Sequence, residues 1–290
     1  MQVPAIFIST ENPTIQSLKN KIIMIYSGNI QKMKSIHETP VKYFLQCGDS
    51  EIEMNTLIGK KIKIEYQDRI NCINCGALTK KSFHQGYCYS CFSSIPQCDI
   101  GVLQPEKDMS HLGISRDMEW AKQNSLVDHY VYLALTGNLK VGVTRHTQIP
   151  TRWIDQGAIA AIKIAKTPYR NLAGQIEVAL KQYVSDKTNW AKMLLANHYD
   201  IDLKKSKKEI AVFIPDELKK YISLDNSITE IEYPLILSGI AKFKTINLET
   251  NPKIESKLLG IKGQYLIFES AEVINIRKHN GYFINIETYD

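Results

Sequence analysis

The stretch CINCGALTKKSFHQGYCYSC, residues 72–91, contains two pairs of cysteines with two residues between the members of each pair. Cys72 and Cys75 form the first pair, Cys88 and Cys91 form the second, and twelve residues separate the pairs. Thiolates at this spacing converge on one tetrahedral ion, because the intervening hairpin brings the second pair across to the first. The pattern predicts one structural Zn²⁺ bound by all four thiolates.

Four protein ligands would fill the coordination sphere, so this site should be structural and chemically closed. A redox function is the weaker interpretation, because neither pair clearly opens a helix after a parallel strand. Of the remaining cysteines, Cys47 is predicted to be a small buried hydrophobe. Cys98 precedes Asp108, His111 and His129, which could suggest a second metal site. Without metal-ligand spacing, we interpret them as scattered polar loop residues.

The composition suits a soluble globular chain of two or three structural units. Its 290 residues are 44% hydrophobic and 23% charged, which excludes fibrous and broadly disordered classes. The formal charge is +6, and a zinc ion on four thiolates would bring it to about +4, a balance that permits a nucleic-acid partner without requiring one. The chain opens without a basic export signal and has no run long enough to span a bilayer, so we expect a cytoplasmic protein with no membrane partner.

Hydrophobic periodicity divides the chain and predicts an α+β fold. The expected units are a β-rich N-terminal segment (1–70), a zinc knuckle or ribbon (71–97), a polar connector (98–128), an α/β module (129–200) and a β-rich C-terminal segment (201–290) that could pack with the first. The basic run at 204–208 is interpreted as a boundary.

Within the α/β module the pattern predicts two short strands, a short helix near Arg152, another strand and two further helices. The first of those two helices is predicted at 170–184 and the second from Trp190 to His198. On the first, one apolar face is expected to carry Leu172, Ile176, Ala179, Leu180 and Tyr183.

The two strands, YVYLAL at 130–135 and LKVGVT at 139–144, predict a β-hairpin around Thr-Gly-Asn. A three-residue loop would pair Ala134 with Lys140 and put Tyr132 and Lys140 on one face. A two-residue loop would pair Leu135 with Lys140 and put them on opposite faces.

These strands resemble the GIY-YIG nuclease pattern in the order and spacing of their residues. Tyr132 corresponds to the tyrosine of the first motif and Lys140 to that of the second, where lysine is a departure. Arg152 corresponds to the arginine of the family, Glu177 to its metal-binding glutamate and Asn189 to a late polar residue of some members. The resemblance covers about 60 residues and implies a GIY-YIG-like module.

The resemblance also implies a reaction. Glu177 would bind one Mg²⁺ or Mn²⁺ that polarises a phosphodiester, and Arg152 would neutralise the phosphorus centre. Tyr132, helped by Lys140, would orient or deprotonate the attacking water. The structural alternatives are strand packing for Tyr132, a solvated helix position for Glu177 and a surface ion pair for Arg152.

The whole chain resembles an uncharacterised bacterial family, domain of unknown function 2797. The resemblance lies in stretches such as CINCG at 72–76, KVGVTR at 140–145, TRWIDQGA at 151–158 and GIKGQYL at 260–266. It implies that relatives carry a second cysteine cluster, which this chain has lost, but it implies no function.

Basic and aromatic residues on the predicted zinc hairpin suggest a nucleic-acid surface. Lys81 lies close in sequence to Phe83, His84 and Tyr87, and the lysines at 204–208 form either a second phosphate-binding cluster or a solvated face. We therefore expect a protein that acts on DNA or RNA. It would be a metal-dependent endonuclease or, alternatively, a catalytically inactive zinc-containing nucleic-acid-binding protein or interaction scaffold.

Overall fold

The computed structural model describes residues 23–196, 198, 200–236 and 242–289. Within these ranges the chain is a mixed α+β protein, which confirms the predicted fold class. The opening residues, on which the expectation of no export signal depends, lie outside the described ranges.

The strands in chain order are β1 (Ile23–Asn29), β2 (Lys34–Ile36), β3 (Lys42–Cys47), β4 (Ser50–Glu53), β5 (Lys61–Ile70), β6 (His129–Leu135), β7 (Leu139–Arg145), β8 (Ala160–Thr167), β9 (Ile228–Glu230), β10 (Lys244–Ile246), β11 (Lys253–Lys262), β12 (Tyr265–Phe268), β13 (Glu272–Asn275) and β14 (Tyr282–Tyr289). The α-helices are α1 (Tyr89–Ser94), α2 (Ile100–Leu103), α3 (Met118–Asn124), α4 (Thr151–Asp155), α5 (Arg170–Leu180), α6 (Trp190–Leu195) and α7 (Leu203–Ala211).

The largest sheet joins the two ends of the described chain, in the strand order β1-β14-β5-β11-β12-β13-β10. β5 follows the two-residue alternation of a half-buried strand, with Ile62 and Ile64 in the core. Lys63 between them forms an ion pair with Glu287 of β14 at 2.8 Å. A smaller sheet has the order β2-β3-β4.

The central sheet has the order β7-β6-β8-β9 and separates two hydrophobic cores. One face carries Tyr132 and Ala134 and packs, together with Trp153 of α4, against the core of the large sheet. The opposite face packs against apolar residues of α5 and α7. β7 is an outer strand of this sheet, and the candidate site lies along it.

The connector at 98–128 forms short helical turns that pack on α5. Arg170 at the start of α5 donates from Nε to the carbonyl oxygen of Gly101 at 2.7 Å and from Nη2 to that of Val102 at 2.6 Å. Asn171 donates to the carbonyl oxygens of Glu106 and Asp108. These bonds fix the side of α5 that lies away from the sheet.

Two expectations about α5 are wrong. α5 ends at Leu180 rather than 184, and Tyr183 is exposed, stacked on Phe213 with 3.7 Å between ring centroids. The lysine run at 204–208 lies inside α7. Its Lys207 is buried and donates to the carbonyl oxygens of Ser223 and Asp225, both at 2.7 Å, so this side chain is not part of a basic surface.

Candidate functional site

The four cysteines of the two pairs meet in one place. Cys72 follows β5, Cys88 caps the N-terminus of α1, and Cys91 lies within the first turn of that helix. All four Sγ atoms lie within 4.8 Å of one another, and those of Cys75 and Cys88 are 3.8 Å apart. Four thiols at these distances could hold a metal ion such as zinc.

Hydrogen bonds and burial act in opposite directions on the thiols of the cluster. Asn74 donates from Nδ2 to the Sγ of Cys91 at 3.4 Å. Burial raises the pKa of Cys72, but backbone N–H groups of Cys75, Cys88 and Asn74 outweigh it and lower the pKa to about 6. The hydrogen bond from Asn74 lowers the pKa of Cys91, but burial and the three neighbouring thiols outweigh it and raise that pKa to about 12. Only a deprotonated thiol binds a metal, so Cys72 is the member of the cluster whose surroundings favour the ligand form.

Within the described residues no second group of metal ligands is found. Asp108 is instead a buried structural residue that accepts hydrogen bonds from Ser125 Oγ at 2.6 Å and from Ser110 N at 2.9 Å. His129 is buried, with its Nδ1 2.7 Å from the carbonyl oxygen of Val127. Cys47 and Cys98 are both buried.

The hairpin has the three-residue register. Ala134 pairs with Lys140 and Tyr132 pairs with Gly142, so Tyr132 and Lys140 share one face. Gly142 is required there, because a Cβ on it would lie 2.6 Å from Tyr132 Oη. The tyrosine ring therefore lies across β7, with its hydroxyl group at the edge of the sheet.

Tyr132 is fully buried beneath the site. Its hydroxyl donates to Gln156 Oε1 at 2.9 Å, and its ring makes an edge contact with Trp153 at 5.8 Å. Burial raises the pKa of Tyr132, and the guanidinium of Arg152, which is hydrogen-bonded to it, lowers it in part. The phenol thus contacts the arginine rather than solvent.

Lys140 is a buried ammonium, 5% exposed. Burial, followed by the positive charge of Arg152, lowers its pKa to about 8, and the carboxylates of Glu177 and Asp186 oppose this shift. Its Nζ lies 3.5 Å from Thr188 Oγ1, in a loop that runs along β7 and whose Ser185 carbonyl accepts from Val141 N.

Glu177 projects from α5, the helix on the opposite face of the sheet. Its carboxyl group is half-buried and, in the part of the chain that the structure describes, makes no hydrogen bond or ion pair. Burial raises its pKa, and the ammonium groups of Lys140 and Lys181 oppose the shift. Glu177 also raises the pKa of Tyr132, so the charges of Glu177 and Arg152 both act on Tyr132 and on Lys140.

Asn189 is not joined to this group by any contact between described residues. It is the exposed N-cap of α6, and its Oδ1 accepts from Lys192 N at 3.1 Å. Its neighbour Thr188 contacts Lys140 instead. Sequence reasoning missed Thr188 and Gln156, and only the position of Gln156 one helical turn after Arg152 could have suggested the latter.

The model of a sequence family described as "Protein of unknown function (DUF2797)" matches residues 59–284. The chain belongs to this family. Neither the curated proteins nor the solved structures include a significant match. Among the described residues, no helix combines the length and apolarity needed to cross a bilayer.

Proposed function

We propose that the protein is a metal-dependent phosphodiesterase that cleaves DNA or RNA. The observation that supports this most is the Glu177 carboxyl group, half-buried and without a hydrogen bond or ion pair among the described residues. A poorly solvated carboxylate is costly unless a cation binds it. Mg²⁺ or Mn²⁺ fits an oxygen ligand, with water and substrate phosphate completing the shell. When bound, the ion would polarise the phosphodiester and stabilise the leaving oxygen.

The remaining side chains suit the other needs of phosphodiester hydrolysis. Arg152 offers a guanidinium fork for the charge that develops on the phosphoryl oxygens. Tyr132, buried and hydrogen-bonded to Arg152 and Gln156, positions that arginine. Lys140, with its pKa lowered to about 8, can take the proton of the attacking water when it is neutral.

An incubation assay tests this proposal. Labelled duplex, branched and single-stranded DNA and RNA are mixed with the purified protein and Mg²⁺ or Mn²⁺. We expect cleavage by the wild type and a loss of about 100-fold or more in Glu177→Gln. Glu119→Gln, which alters an exposed glutamate on α3, is the matched control and should cleave normally. Equal cleavage by both variants, or none by the wild type, would reject the enzyme.

We propose that the ion held by the four cysteines is Zn²⁺ with a structural role. The proposal is supported by the four sulfur ligands, which together fill a tetrahedral coordination sphere. A zinc site with no open coordination position is typical of a structural role. The cluster would fix the hairpin against β5 and take no part in the reaction.

Binding without cleavage is the second candidate, and the zinc hairpin favours it. Phe83 stacks on Phe92 at 5.7 Å and contacts Tyr89 at 5.5 Å, while Lys81 Nζ lies 5.3 Å above the Phe83 ring. Tyr89 is 65% exposed. Exposed aromatic rings beside a cation suit unpaired bases and a phosphate backbone. In the same assay this candidate predicts retardation of the labelled strand without products.

A further inference from the structure

Arg277 is a half-buried arginine near the candidate active site. It lies in the 3-10 turn Ile276–His279, between β13 and β14. In the described ranges it makes no hydrogen bond or ion pair. A charged side chain that is partly removed from water costs free energy when no opposite charge pairs with it. An anion bound from outside the chain would offset this cost.

Two hydrogen bonds connect this turn to the candidate active site. Ile276 N donates to the carbonyl oxygen of Gln264 at 2.8 Å, and Gln264 Nε2 donates to Asp155 Oδ1 at 2.8 Å. Asp155 lies one helical turn after Arg152 on α4. Burial, followed by the positive charge of Arg152, lowers the pKa of Arg277, as expected for two neighbouring cations.

The negative charge of Asp155 opposes this lowering of the Arg277 pKa, but Asp155 makes no ion pair with Arg277 among the described residues. Asp155 is already hydrogen-bonded to Gln264 and forms an ion pair with Lys32. Arg277 and Arg152 are thus close enough for their positive charges to interact, and guanidinium groups bind phosphate oxygens well.

The same turn also touches the zinc hairpin. Asn280 donates from Nδ2 to the carbonyl oxygen of Gln85 at 2.9 Å. Burial lowers the pKa of His84, and the charge of Arg277 lowers it further. The His84 ring stacks on that of Tyr87 at 6.3 Å. The turn that carries Arg277 is therefore linked on one side to α4 of the candidate active site and on the other to the zinc hairpin with its aromatic rings.

We propose that Arg277 binds a backbone phosphate of a nucleic-acid strand, next to the phosphate bound at Arg152, and directs the strand towards the zinc hairpin. The inference rests on the proposed nucleic-acid ligand but not on cleavage. It assigns to the C-terminal segment, which lies outside the GIY-YIG-like stretch, a direct part in binding.

The test measures binding in a protein that cannot cleave. Glu177→Gln is combined with Arg277→Ala, and its affinity for a fluorescein-labelled single strand and the matching duplex is followed against salt concentration. The combination with Lys61→Ala is the matched control, because Lys61 is exposed and begins β5 at the end opposite the hairpin. Loss of one phosphate contact should reduce the log–log salt slope by about 0.9 on duplex or about 0.7 on single strands. Affinity should fall about tenfold, with no change in the control.

The outcomes separate the two proposals. Equal slopes for the Arg277 and Lys61 variants overturn the inference, whether or not the wild type cleaves. An Arg277-dependent slope in a protein whose wild type never cleaves retains the inference and rejects the enzyme. Absence of any salt-sensitive binding rejects both. If Arg277→Ala does not fold, Arg277→Lys replaces it in the test. This variant should keep the salt slope, because its charge is unchanged, but should bind the strand more weakly. Unchanged affinity of Arg277→Lys would contradict the inference.

Discussion

Lys140 and Glu177 carry opposite charges in a poorly solvated place, yet no ion pair joins them within the described ranges. Burial disfavours the charged form of both groups: it lowers the pKa of Lys140 to about 8 and raises the pKa of Glu177. A ligand bound between the two groups would interact with both charges and so offset the cost of burying them. We therefore expect this place to bind a ligand.

The buried ammonium makes stability depend on pH. The folded state releases the Lys140 proton near pH 8 and the unfolded chain near 10.5, so between these values the unfolded state binds more protons and stability rises with pH. From about pH 7 to about pH 9.5, this residue should add about 2 kcal/mol to the free energy of unfolding. Urea titrations of the wild type and Lys140→Met should differ by that increment.

Lys262 is also buried, and its pKa is also lowered to about 8, so it should contribute to the pH dependence of the wild type as well. The difference between the wild type and Lys140→Met gives the contribution of Lys140 alone. Parallel pH responses of the two proteins would contradict the account of Lys140.

At the residue scale, the sequence could predict which side chains share a face but not what they contact. That Tyr132 and Lys140 share one face followed from the alternation of side chains along the hairpin, once the length of its loop was known. Gln156 and Thr188 belong to other elements, and the packing that brings them to the hairpin depends on side-chain fit across the whole core.

The hairpin is the element on which the candidate site depends, and Gly142 tests its geometry. Gly142→Ala would place a methyl group 2.6 Å from Tyr132 Oη, so we expect a loss of about 1–3 kcal/mol in the free energy of unfolding. In a Tyr132→Leu background the same change should cost less, because the clashing ring is gone. Chemical denaturation of the four proteins of this cycle measures the difference, and strict additivity would contradict the contact.

The zinc hairpin is the second element with a measurable signature. Metal analysis should find about one Zn²⁺ per chain, and Cys75→Ser should lose the metal and open the hairpin to proteolysis, because metal binding supplies much of the folding energy of so small a unit. Cys47→Ala, at a buried cysteine outside the cluster, should retain the metal. A full zinc content in Cys75→Ser would argue against the assignment.

Element types were easier to predict than their ends. The spacing of apolar residues predicted α5 but not its end at Leu180, after which residues 181–183 form turns. The lysine run gave no apolar pattern from which α7 could be predicted. In the structure, Leu203 and Ile210 of α7 share a buried face with the aliphatic stem of Lys207.

At the scale of the whole molecule, a buried polar group ties three segments of the chain together. Asp155 of α4 forms an ion pair with Lys32 and accepts from Gln264, whose Oε1 in turn accepts from Met33 N at 2.8 Å. The pairing of β1 and β5 with β14 completes this connection. No local sequence signal predicts such long-range register, which depends on two distant segments meeting.

Asp155→Asn should therefore weaken the whole fold and not one element. The loss of a charge-assisted bond at a carboxylate that is 4% exposed should lower the free energy of unfolding by about 1–3 kcal/mol. Asp216→Asn, which removes an exposed carboxylate paired with Lys219, is the control and should leave the unfolding midpoint unchanged. Equal midpoints for the two variants would show that the Asp155 network contributes nothing.

The central claim is that Glu177 holds a divalent cation beside Arg152 and Lys140. The most direct measurement is electron paramagnetic resonance of Mn²⁺ added to the zinc-loaded protein with a phosphorothioate oligonucleotide. We predict one bound Mn²⁺ per chain in the wild type and in Glu119→Gln, and none in Glu177→Gln. Bound Mn²⁺ that persists in Glu177→Gln, or none in the wild type, would contradict the account.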